Sequence, residues 1–405
     1  LRGLRPVQER AEDVAAPPYD VLNTAEARER ASGRPWSFLH ISKPEIDLPE
    51  GTDPYAPEVY AKGAENLQRQ IDENILIRED KPCYYVYRIR MGNHVQTGLV
   101  FAGSVQDYDT NRIRKHEFTR PKKEDDRVRQ IDALNAQTGP VLLTYRSDAE
   151  VRELLARVAE NAPDYDLTAD DGIGHTLWSI TDPAEIVALT DTFNAMDALY
   201  IADGHHRSAA ASRVAAQRRA DGATGDAEHD YFLCVGFPHD EMQILDYNRV
   251  IRDLNGLSAE ALLDRIRTAF SVTPSPAAVR PAHPGQFGLY LGGHWYRMDI
   301  DATRIPEDDP VGSLDVSLLQ NNLIAPLLGI TDPRTDERID FVGGIRGLGE
   351  LERRVDSGEM AVAFALFPTR MEALMDVADA NEVMPPKSTW FEPKLADGLV
   401  SHVLD

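Results

Sequence analysis

Cysteine is scarce in this 405-residue chain, and the two that occur, Cys83 and Cys234, both lie inside apolar runs. Two cysteines are too few for a disulfide framework, and their positions do not form a zinc-binding pattern. We therefore expect both side chains to be buried, free thiols in a reducing compartment. No apolar run approaches the roughly 20 residues that span a bilayer, and the opening segment has no apolar region typical of a signal peptide. We therefore expect a cytoplasmic protein.

Positive charge is also in short supply. The chain has 43 Lys and Arg residues against 67 Asp and Glu residues, a formal net charge of −24. A surface of this sign repels nucleic acids and anionic membranes. We therefore expect neither as a partner and predict a small-molecule substrate instead.

The common short catalytic signatures are missing as well. The sequence contains no GxSxG, CxxC, GxGxxG or GxxxxGK[ST] pattern. Serine hydrolases of the nucleophile-elbow type, thiol redox proteins, Rossmann proteins and P-loop NTPases thus find no support in these residues. Any functional site has to be sought in less common patterns.

The periodicity that is present predicts an α+β fold with a mixed α/β sheet. Alternating segments at 83–90 and 95–105 predict a hairpin, and a second hairpin is predicted across Gly292 and Gly293, whereas 207–219, 259–270 and 316–328 have helical patterns. A chain of this length exceeds one ordinary core. We place an N-terminal α/β domain at 1–272 and a C-terminal α/β module at 273–405, divided at a proline-rich stretch.

A tight turn in the middle of the chain is the main candidate site. The apolar strand 198–201 runs into Asp203-Gly204-His205-His206-Arg207, and a strongly helical Ala/Ser-rich segment follows. Unpaired N–H groups at the positive end of a helix form a natural anion site, and an arginine can bind phosphate through paired donors. The five residues are thus candidate phosphate ligands. An ordinary β–α turn, with Asp203 as the N-cap, is the structural alternative.

Metal coordination by Asp203, His205 and His206 is a further alternative for this turn. Adjacent residues rarely point at one ion without other ligands, and the chain has no HExxH-type pair of histidines on a helix. We therefore predict no metal ligated directly by protein side chains.

A basic island interrupts the acidic chain between Arg112 and Arg129, with eight Lys and Arg residues among eighteen. Neighbouring acidic residues could pair with these cations on a solvated helix face. Alternatively, Lys122, Lys123 and Arg127 neutralise phosphate charge in a transition state. The adjacent His116 and Glu117 are candidates for the general base.

The C-terminal stretch 384–394, MPPKSTWFEPK, is unusual for a simple tail. Prolines stiffen it, and Lys387, Ser388, Thr389 and Lys394 supply hydrogen-bond donors. It could form a rigid lid that contacts phosphate or substrate. It could equally be a structural crossing segment in which Trp390 and its neighbour anchor a core.

Four segments in order resemble the bacterial and archaeal family catalogued as domain of unknown function 1015. They are VAAPPYDVL at 14–22, HEFTRPKKEDDR at 116–127, YIADGHHRSAA at 200–210 and MPPKSTWFEPKLADGLV at 384–400. The DGHHR turn is similar to the phosphate-binding turn of the ParB/sulfiredoxin-like superfamily, which includes free-serine kinases. This resemblance implies a ParB/sulfiredoxin-like core, phosphate ligands at 203–207 and Glu117 as the base for a substrate hydroxyl.

The leading functional hypothesis is a small-molecule kinase. It transfers a phosphoryl group from ATP, ADP or pyrophosphate, with Mg²⁺, to a small hydroxylated metabolite, for which free L-serine is the best guess. One alternative is a metal-dependent phosphate-ester hydrolase that uses Asp203, His205 and His206. Another is a nucleotide-binding regulatory protein without turnover. For the kinase, we expect Arg207→Ala and Glu117→Gln to lose turnover without unfolding.

Overall fold

The computed structural model describes residues 1–223 and 226–405. The composition of the segment DGATGD at 221–226 predicts a loop, and residues 224 and 225 of it lie outside the described residues. The chain forms two compact units, one of Leu1–Met242 with Pro393–Asp405 and one of Gln243–Glu392. The boundary expected at residue 273 lies inside the second unit, within a strand at Phe270–Ser275. That strand is at the edge of its sheet, where a proline is tolerated because no ladder donor is needed on the outer side.

The first unit contains most of the helices. They are α1 Ala11–Val14, α2 Thr24–Ala31, α3 Leu39–Ser42, α4 Pro57–Asp72, α5 Val105–Asp109, α6 Pro121–Leu134, α7 Ala149–Val158, α8 Pro183–Ala195 and α9 His205–Ala220. Its strands are β1 Leu4–Pro6, β2 Leu76–Arg78, β3 Tyr84–Met91, β4 His94–Ser104, β5 Ile113–Arg114, β6 Ala136–Gln137, β7 Val141–Tyr145, β8 Tyr165–Thr168, β9 Gly174–Ile180, β10 Leu199–Asp203 and β11 Tyr231–Pro238, with β20 His402–Val403 at the end of the chain.

The second unit is built mainly of strands. They are β12 Ile244–Leu245, β13 Tyr247–Ile251, β14 Phe270–Ser275, β15 Gln286–Leu291, β16 His294–Ile300, β17 Ile339–Gly343, β18 Val362–Leu366 and β19 Trp390–Phe391. The helices are α10 Ala259–Ile266, α11 Asp315–Leu319, α12 Ala325–Leu328, α13 Leu348–Asp356 and α14 Met371–Asp379. A π-helical turn at Gln320–Ile324 joins α11 to α12, so the helix predicted at 316–328 is real but irregular.

The sheet of the first unit is mixed, which confirms the predicted fold class. Its eight strands lie in the order β5-β10-β7-β11-β4-β3-β9-β8. Strand β10 is parallel to β5 and antiparallel to β7, and β7 is parallel to β11. The predicted hairpin is β3–β4, which turns at Gly92 with a positive φ of 57°. In the second unit the six-stranded sheet β14-β16-β15-β18-β13-β17 is antiparallel throughout.

Helix α9 lies against the first sheet and against α5 and α6. The side chains of its Ala/Ser-rich stretch are small and buried, among them Ser208, Ala210 and Ala215. Small residues let a helix approach its neighbours closely, so the packing buries apolar surface although the helix has few large side chains. No helix among the described residues is both long and apolar enough to cross a membrane.

Candidate functional site

The candidate site lies at one edge of the eight-stranded sheet. Strands β5 and β10 are parallel neighbours, so their carboxyl ends reach the same edge. The segment 116–120 follows β5, and the Gly204 turn follows β10. Two of the motifs found in the sequence, distant along the chain, therefore meet. A register shift between Ile201 and Asp203 in the β10–β7 pairing marks a bulge next to the turn.

Gly204 makes the turn possible. Its φ of 100° and ψ of 27° lie in the left-handed region that side chains disfavour. A Cβ atom there would come within 3.2 Å of Arg207 Nε and 3.3 Å of Val141 Cα. The Gly204 N–H donates to the Asp203 carboxylate at 3.0 Å. Over the described residues, no side chain caps the start of α9, so its first N–H groups are available to an anion.

Three side chains, His116, Glu117 and His205, form what we call the histidine cluster. The backbone N–H of His116 donates to His205 Nε2 at 3.3 Å. The two imidazole rings pack edge to face with centroids 4.5 Å apart. His205 Nδ1 lies 3.7 Å from Glu117 Oε2. Both imidazoles are buried, whereas the Glu117 side chain is 59% exposed. Glu117 is thus the member that can meet a ligand from solvent.

Both imidazoles of the histidine cluster are poor bases. Burial lowers the pKa of His116 to about 4, although its bond to the Ile201 carbonyl and the charge of Asp203 favour the protonated form. Burial and the nearby His116, His206 and Arg207 hold the pKa of His205 well below its usual value. The rings are therefore neutral at neutral pH, and neither is the exposed base that the sequence offered as a role for His116.

His206 makes a separate contact with the segment 116–120. Its Nε2 accepts a hydrogen bond from the Arg120 N–H at 3.0 Å, and burial lowers its pKa. The metal-binding trio considered from the sequence, Asp203 with His205 and His206, is not brought together. Within the described ranges, the group whose ligand atoms lie within 4.8 Å of one another is His116, Glu117 and His205.

On the other side of the turn lies what we call the arginine cluster, formed by Asp20, Arg127, Arg207 and Asp397. The Arg207 side chain is only 10% exposed. Its guanidinium donates to the Pro140 carbonyl and has nitrogen–carboxylate distances of 3.5 Å to Asp203 and 3.9 Å to Asp20. Arg207 therefore folds beneath the turn instead of extending to the solvent side.

Arg127 approaches the same place from α6. Its guanidinium stacks on the Tyr19 ring, 3.9 Å from the centroid, and pairs with the Asp126 carboxylate. Arg127, Arg207, Tyr19 and Gln130 help to line a cavity of about 30 Å³, room for about one water molecule. The Arg127 side chain is therefore largely buried, and its expected role in neutralising phosphate charge stays a prediction.

Asp397 completes the arginine cluster. It is 2% exposed, and its Oδ1 is buried without a hydrogen-bond partner among the described residues. Burial, with the charge of Asp20 adding to it, raises the pKa of Asp397 to about 7 despite Arg207 and Arg127. By contrast the pKa of Asp203 is lowered, because Arg207 and Lys394 outweigh the effect of its burial.

The basic island splits between two faces of α6. Lys122 and Lys123 are exposed at the start of the helix, where Lys122 Nζ lies 4.5 Å from the centroid of the Tyr55 ring. Arg127, one turn later, is on the buried face. The acidic residues of the island also form ion pairs, since Arg213 of α9 contacts Glu124 and Asp125. The island is therefore a partly neutralised helix and not a uniform basic patch.

The C-terminal motif is divided between the two units. Lys387, Ser388 and Thr389 belong to the second unit, where the buried Ser388 hydroxyl donates to the Pro385 carbonyl. Lys394 belongs to the first unit and acts electrostatically on Asp203. Of the four residues expected to form a lid, Lys394 lies in the same unit as the turn, and its charge lowers the pKa of Asp203.

Sequence reasoning missed three residues of the site, Tyr19, Asp20 and Asp397. Backbone bonds pair Ala16 with Asp397, so the Pro-Pro-Tyr-Asp loop lies beside the returning C-terminal segment. The available signal was their membership in the first and last of the four family-like segments. All four segments contribute residues to the first unit.

A family model described as "Protein of unknown function (DUF1015)" matches residues 1–317 of this chain. No curated protein matches it at a significant level. Among solved structures, a free serine kinase in complex with AMP is similar at 14% identity and a TM-score of 0.35, covering 73% of this chain and 86% of that chain.

Two further solved structures show a comparable likeness. A conserved hypothetical protein from Pyrococcus furiosus has 14% identity and a TM-score of 0.35, with 75% of this chain and 94% of that chain covered. SbnI from Staphylococcus aureus, with a C-terminal truncation, has 11% identity and a TM-score of 0.39, with 74% and 86% covered.

Proposed function

The chain belongs to the DUF1015 family of proteins of unknown function, and we propose that it is a phosphotransferase acting on a small hydroxylated metabolite. One observation carries the proposal. The uncapped start of α9 and the exposed carboxylate of Glu117 meet at the same sheet edge, joined by a His205 Nδ1–Glu117 Oε2 distance of 3.7 Å. An anion site beside a carboxylate base is what phosphoryl transfer to a hydroxyl requires.

The turn supplies the donor side of the proposed reaction. The first N–H groups of α9 and its positive dipole end bind the phosphates of ATP, ADP or pyrophosphate. Arg207 holds the turn from below through Asp203 and the Pro140 carbonyl, so it is a positioning residue. The exposed Lys122 and Lys123, and the half-buried Lys394, add positive charge in the first unit.

Mg²⁺ fits one residue of the turn. It prefers oxygen ligands and is commonly bound by one or two carboxylates together with substrate phosphates. Asp203 is 42% exposed and has a lowered pKa, so it is an ionised carboxylate that could hold the ion next to the donor. When bound, Mg²⁺ neutralises charge on the phosphates.

Glu117 supplies the acceptor side. A carboxylate within hydrogen-bond reach of a hydroxyl can accept its proton as the oxygen attacks phosphorus. Because His205 Nε2 accepts from the His116 N–H, the neutral ring carries its proton on Nδ1, which faces Glu117. The proton-bearing nitrogen therefore lies on the side of the Glu117 carboxylate, where it can orient that group. The acceptor hydroxyl loses its proton to Glu117 as its oxygen bonds to the terminal phosphorus of the donor. The bond from that phosphorus to the bridging oxygen breaks, and the remainder of the donor leaves with the bonding electrons on that oxygen.

The substrates are tested by ligand-induced stabilisation. ATP, ADP and pyrophosphate, each with and without Mg²⁺, and then L-serine are added during thermal unfolding. A ligand at about 100 times its dissociation constant adds roughly 2.7 kcal/mol to the free energy of unfolding. Product analysis then separates the alternatives. Phosphate release without an acceptor identifies a hydrolase, and nucleotide binding without any product identifies a regulatory protein.

Glu117→Gln tests the base directly. It removes the proton acceptor and keeps the shape, so turnover with the identified donor and acceptor should fall about 10²- to 10⁴-fold. Donor affinity should change little, because the turn is untouched. Glu153→Gln, at an exposed position of α7 in the same unit, is the matched control and should keep full turnover. Wild-type turnover in Glu117→Gln would overturn the assignment.

A further inference from the structure

The histidine cluster contains an unsatisfied metal-ligating atom. His116 is 2% exposed, and its Nδ1 is buried without a hydrogen-bond partner among the described residues. The ring bonds to the Ile201 carbonyl, and since Nδ1 has no partner this bond uses Nε2. The proton is thereby fixed on Nε2, and a free lone pair is left on Nδ1.

This arrangement is the one that metal-binding histidines adopt. A ligating imidazole nearly always donates its other N–H to a carbonyl or carboxylate, which sets the tautomer and the ring orientation. Leaving a buried nitrogen unbonded is otherwise unfavourable by about 1–3 kcal/mol. A bound cation would satisfy the His116 nitrogen and remove that penalty.

We propose that His116, Glu117 and His205 bind one divalent transition-metal ion of the zinc class. Their ligand atoms lie within 4.8 Å of one another, and the His205 Nδ1–Glu117 Oε2 distance is 3.7 Å. Tetrahedral ligands about 2.1 Å from an ion lie about 3.4 Å apart. The Glu117–His205 pair is already near that spacing, and no ligand-atom distance in the group exceeds 4.8 Å.

The chemistry of the three ligands selects the ion. Two imidazole nitrogens and one carboxylate oxygen suit Zn²⁺ or Co²⁺ and not Mg²⁺, which prefers oxygen throughout.

The hydrogen bond between the backbone N–H of His116 and His205 Nε2 opposes binding of the metal ion. Ligation through His205 Nδ1 places the ring proton on Nε2, where it faces the His116 N–H at 3.3 Å. That hydrogen bond is lost when the metal binds, so we expect weaker binding than in a structural zinc site. Three protein ligands also leave a coordination position open on the exposed side of Glu117, as in catalytic rather than structural sites.

The metal site uses Glu117, to which the proposed function assigns the role of general base, and this one consequence depends on that function. A metal ion on Glu117 takes up the lone pair that would accept the hydroxyl proton. We therefore expect Zn²⁺ to oppose phosphoryl transfer. The metal site itself is measurable without any turnover.

The test is metal binding to the chelator-treated full chain with no nucleotide or acceptor present. Co²⁺ is titrated while visible absorption is followed, and Zn²⁺ is then added as a competitor. We expect one Co²⁺ per chain, displaced by Zn²⁺ and not by Mg²⁺. No binding, or binding that Mg²⁺ reverses as readily as Zn²⁺, would overturn the proposal.

Variants identify the ligands. Loss of even an outer partner of a metal ligand weakens binding about 10- to 100-fold, so Glu117→Gln and His205→Gln should each weaken Co²⁺ binding at least tenfold. Glu117 is exposed, so its variant is expected to fold. His283→Gln, at an exposed position of the second unit, should bind as the wild type does. Unchanged affinity in both ligand variants would place the ion elsewhere and defeat the proposal. Because the experiment measures metal binding alone, the metal-site proposal is tested separately from the proposed kinase activity.

Discussion

The histidine cluster and the arginine cluster flank the same turn, and both are largely buried, yet their electrostatics are opposite. In the arginine cluster, Arg207 lies near the carboxylates of Asp203 and Asp20 and donates to a backbone carbonyl. In the histidine cluster the two rings are neutral, and one nitrogen of His116 is unbonded.

The difference separates structural support from chemistry. Buried charges are tolerated only when they are paired, and breaking such a pair is strongly destabilising. Neutral rings beside an exposed carboxylate contribute less to stability, but they remain free to bind and to orient. We therefore infer that the arginine cluster holds the turn in place and that the histidine cluster meets ligands.

We expect the largest loss of stability from a substitution that breaks the arginine cluster. Arg207→Met leaves the buried Pro140 carbonyl without its donor and removes the cation near the partly exposed carboxylates of Asp203 and Asp20. The free energy of unfolding of the first unit should therefore fall by about 2–3 kcal/mol. Urea unfolding followed by circular dichroism measures it. The expectation from the sequence that a change at Arg207 leaves the protein folded stays a prediction, and the same measurement tests it at this buried side chain.

Arg213→Met is the matched control on the same helix. Arg213 is about half exposed and pairs with Glu124 and Asp125, so its removal should lower stability by less than about 1 kcal/mol. Equal losses in the two variants would contradict the special position of Arg207.

A second, smaller effect concerns pH. The pKa of Asp397 is raised to about 7 in the folded chain, so its protonated form is favoured by folding. Its contribution is therefore present at low pH and is lost as pH rises through the folded pKa, by at most about 1.4 kcal/mol per pH unit. Asp397→Asn cannot ionise, so its melting temperature relative to wild type should rise between about pH 4 and pH 7, the interval between the ordinary pKa of an Asp carboxyl and the raised pKa of Asp397.

Thermal unfolding across this pH range checks the prediction. Asp191→Asn changes an exposed carboxylate on α8 of the same unit, and its melting temperature relative to wild type should stay nearly constant. A constant difference for Asp397→Asn as well would show that Asp397 is ionised in the folded protein throughout.

Apart from the control variants, we expect the smallest loss of stability from a substitution in the histidine cluster. His205→Gln loses one 3.3 Å hydrogen bond from the His116 N–H and removes no charge, so the metal-free protein should lose only about 1 kcal/mol of stability. The same urea measurement applies. A loss as large as that of Arg207→Met would mean that the histidine cluster is also structural.

Local features of the site could be predicted from the sequence. A short apolar strand, a glycine and an Ala/Ser-rich helix specify the turn at Gly204, because each residue choice favours one backbone state. The predicted β3–β4 hairpin and the predicted helix α9 are also confirmed, and both follow from local residue preferences. The family resemblance is confirmed by the match over residues 1–317.

Long-range features could not be predicted. Strand β5 has only two residues, so no periodicity reveals its pairing with β10, which is what brings Glu117 to the turn. The faces of α6 that carry Lys122 and Arg127 depend on what packs against them. The return of Asp397 to the first unit depends on a chain reversal that composition does not encode.

Two hydrogen bonds connect the segment 116–120 to the turn. The backbone N–H of His116 donates to His205 Nε2, and the backbone N–H of Arg120 donates to His206 Nε2. Such anchors carry no net charge, so added salt should not loosen them as it loosens ion pairs between exposed side chains. They depend instead on an unoccupied lone pair. Strong acid, which protonates the rings, should detach the segment, so Glu117 would leave its place before the sheet itself unfolds.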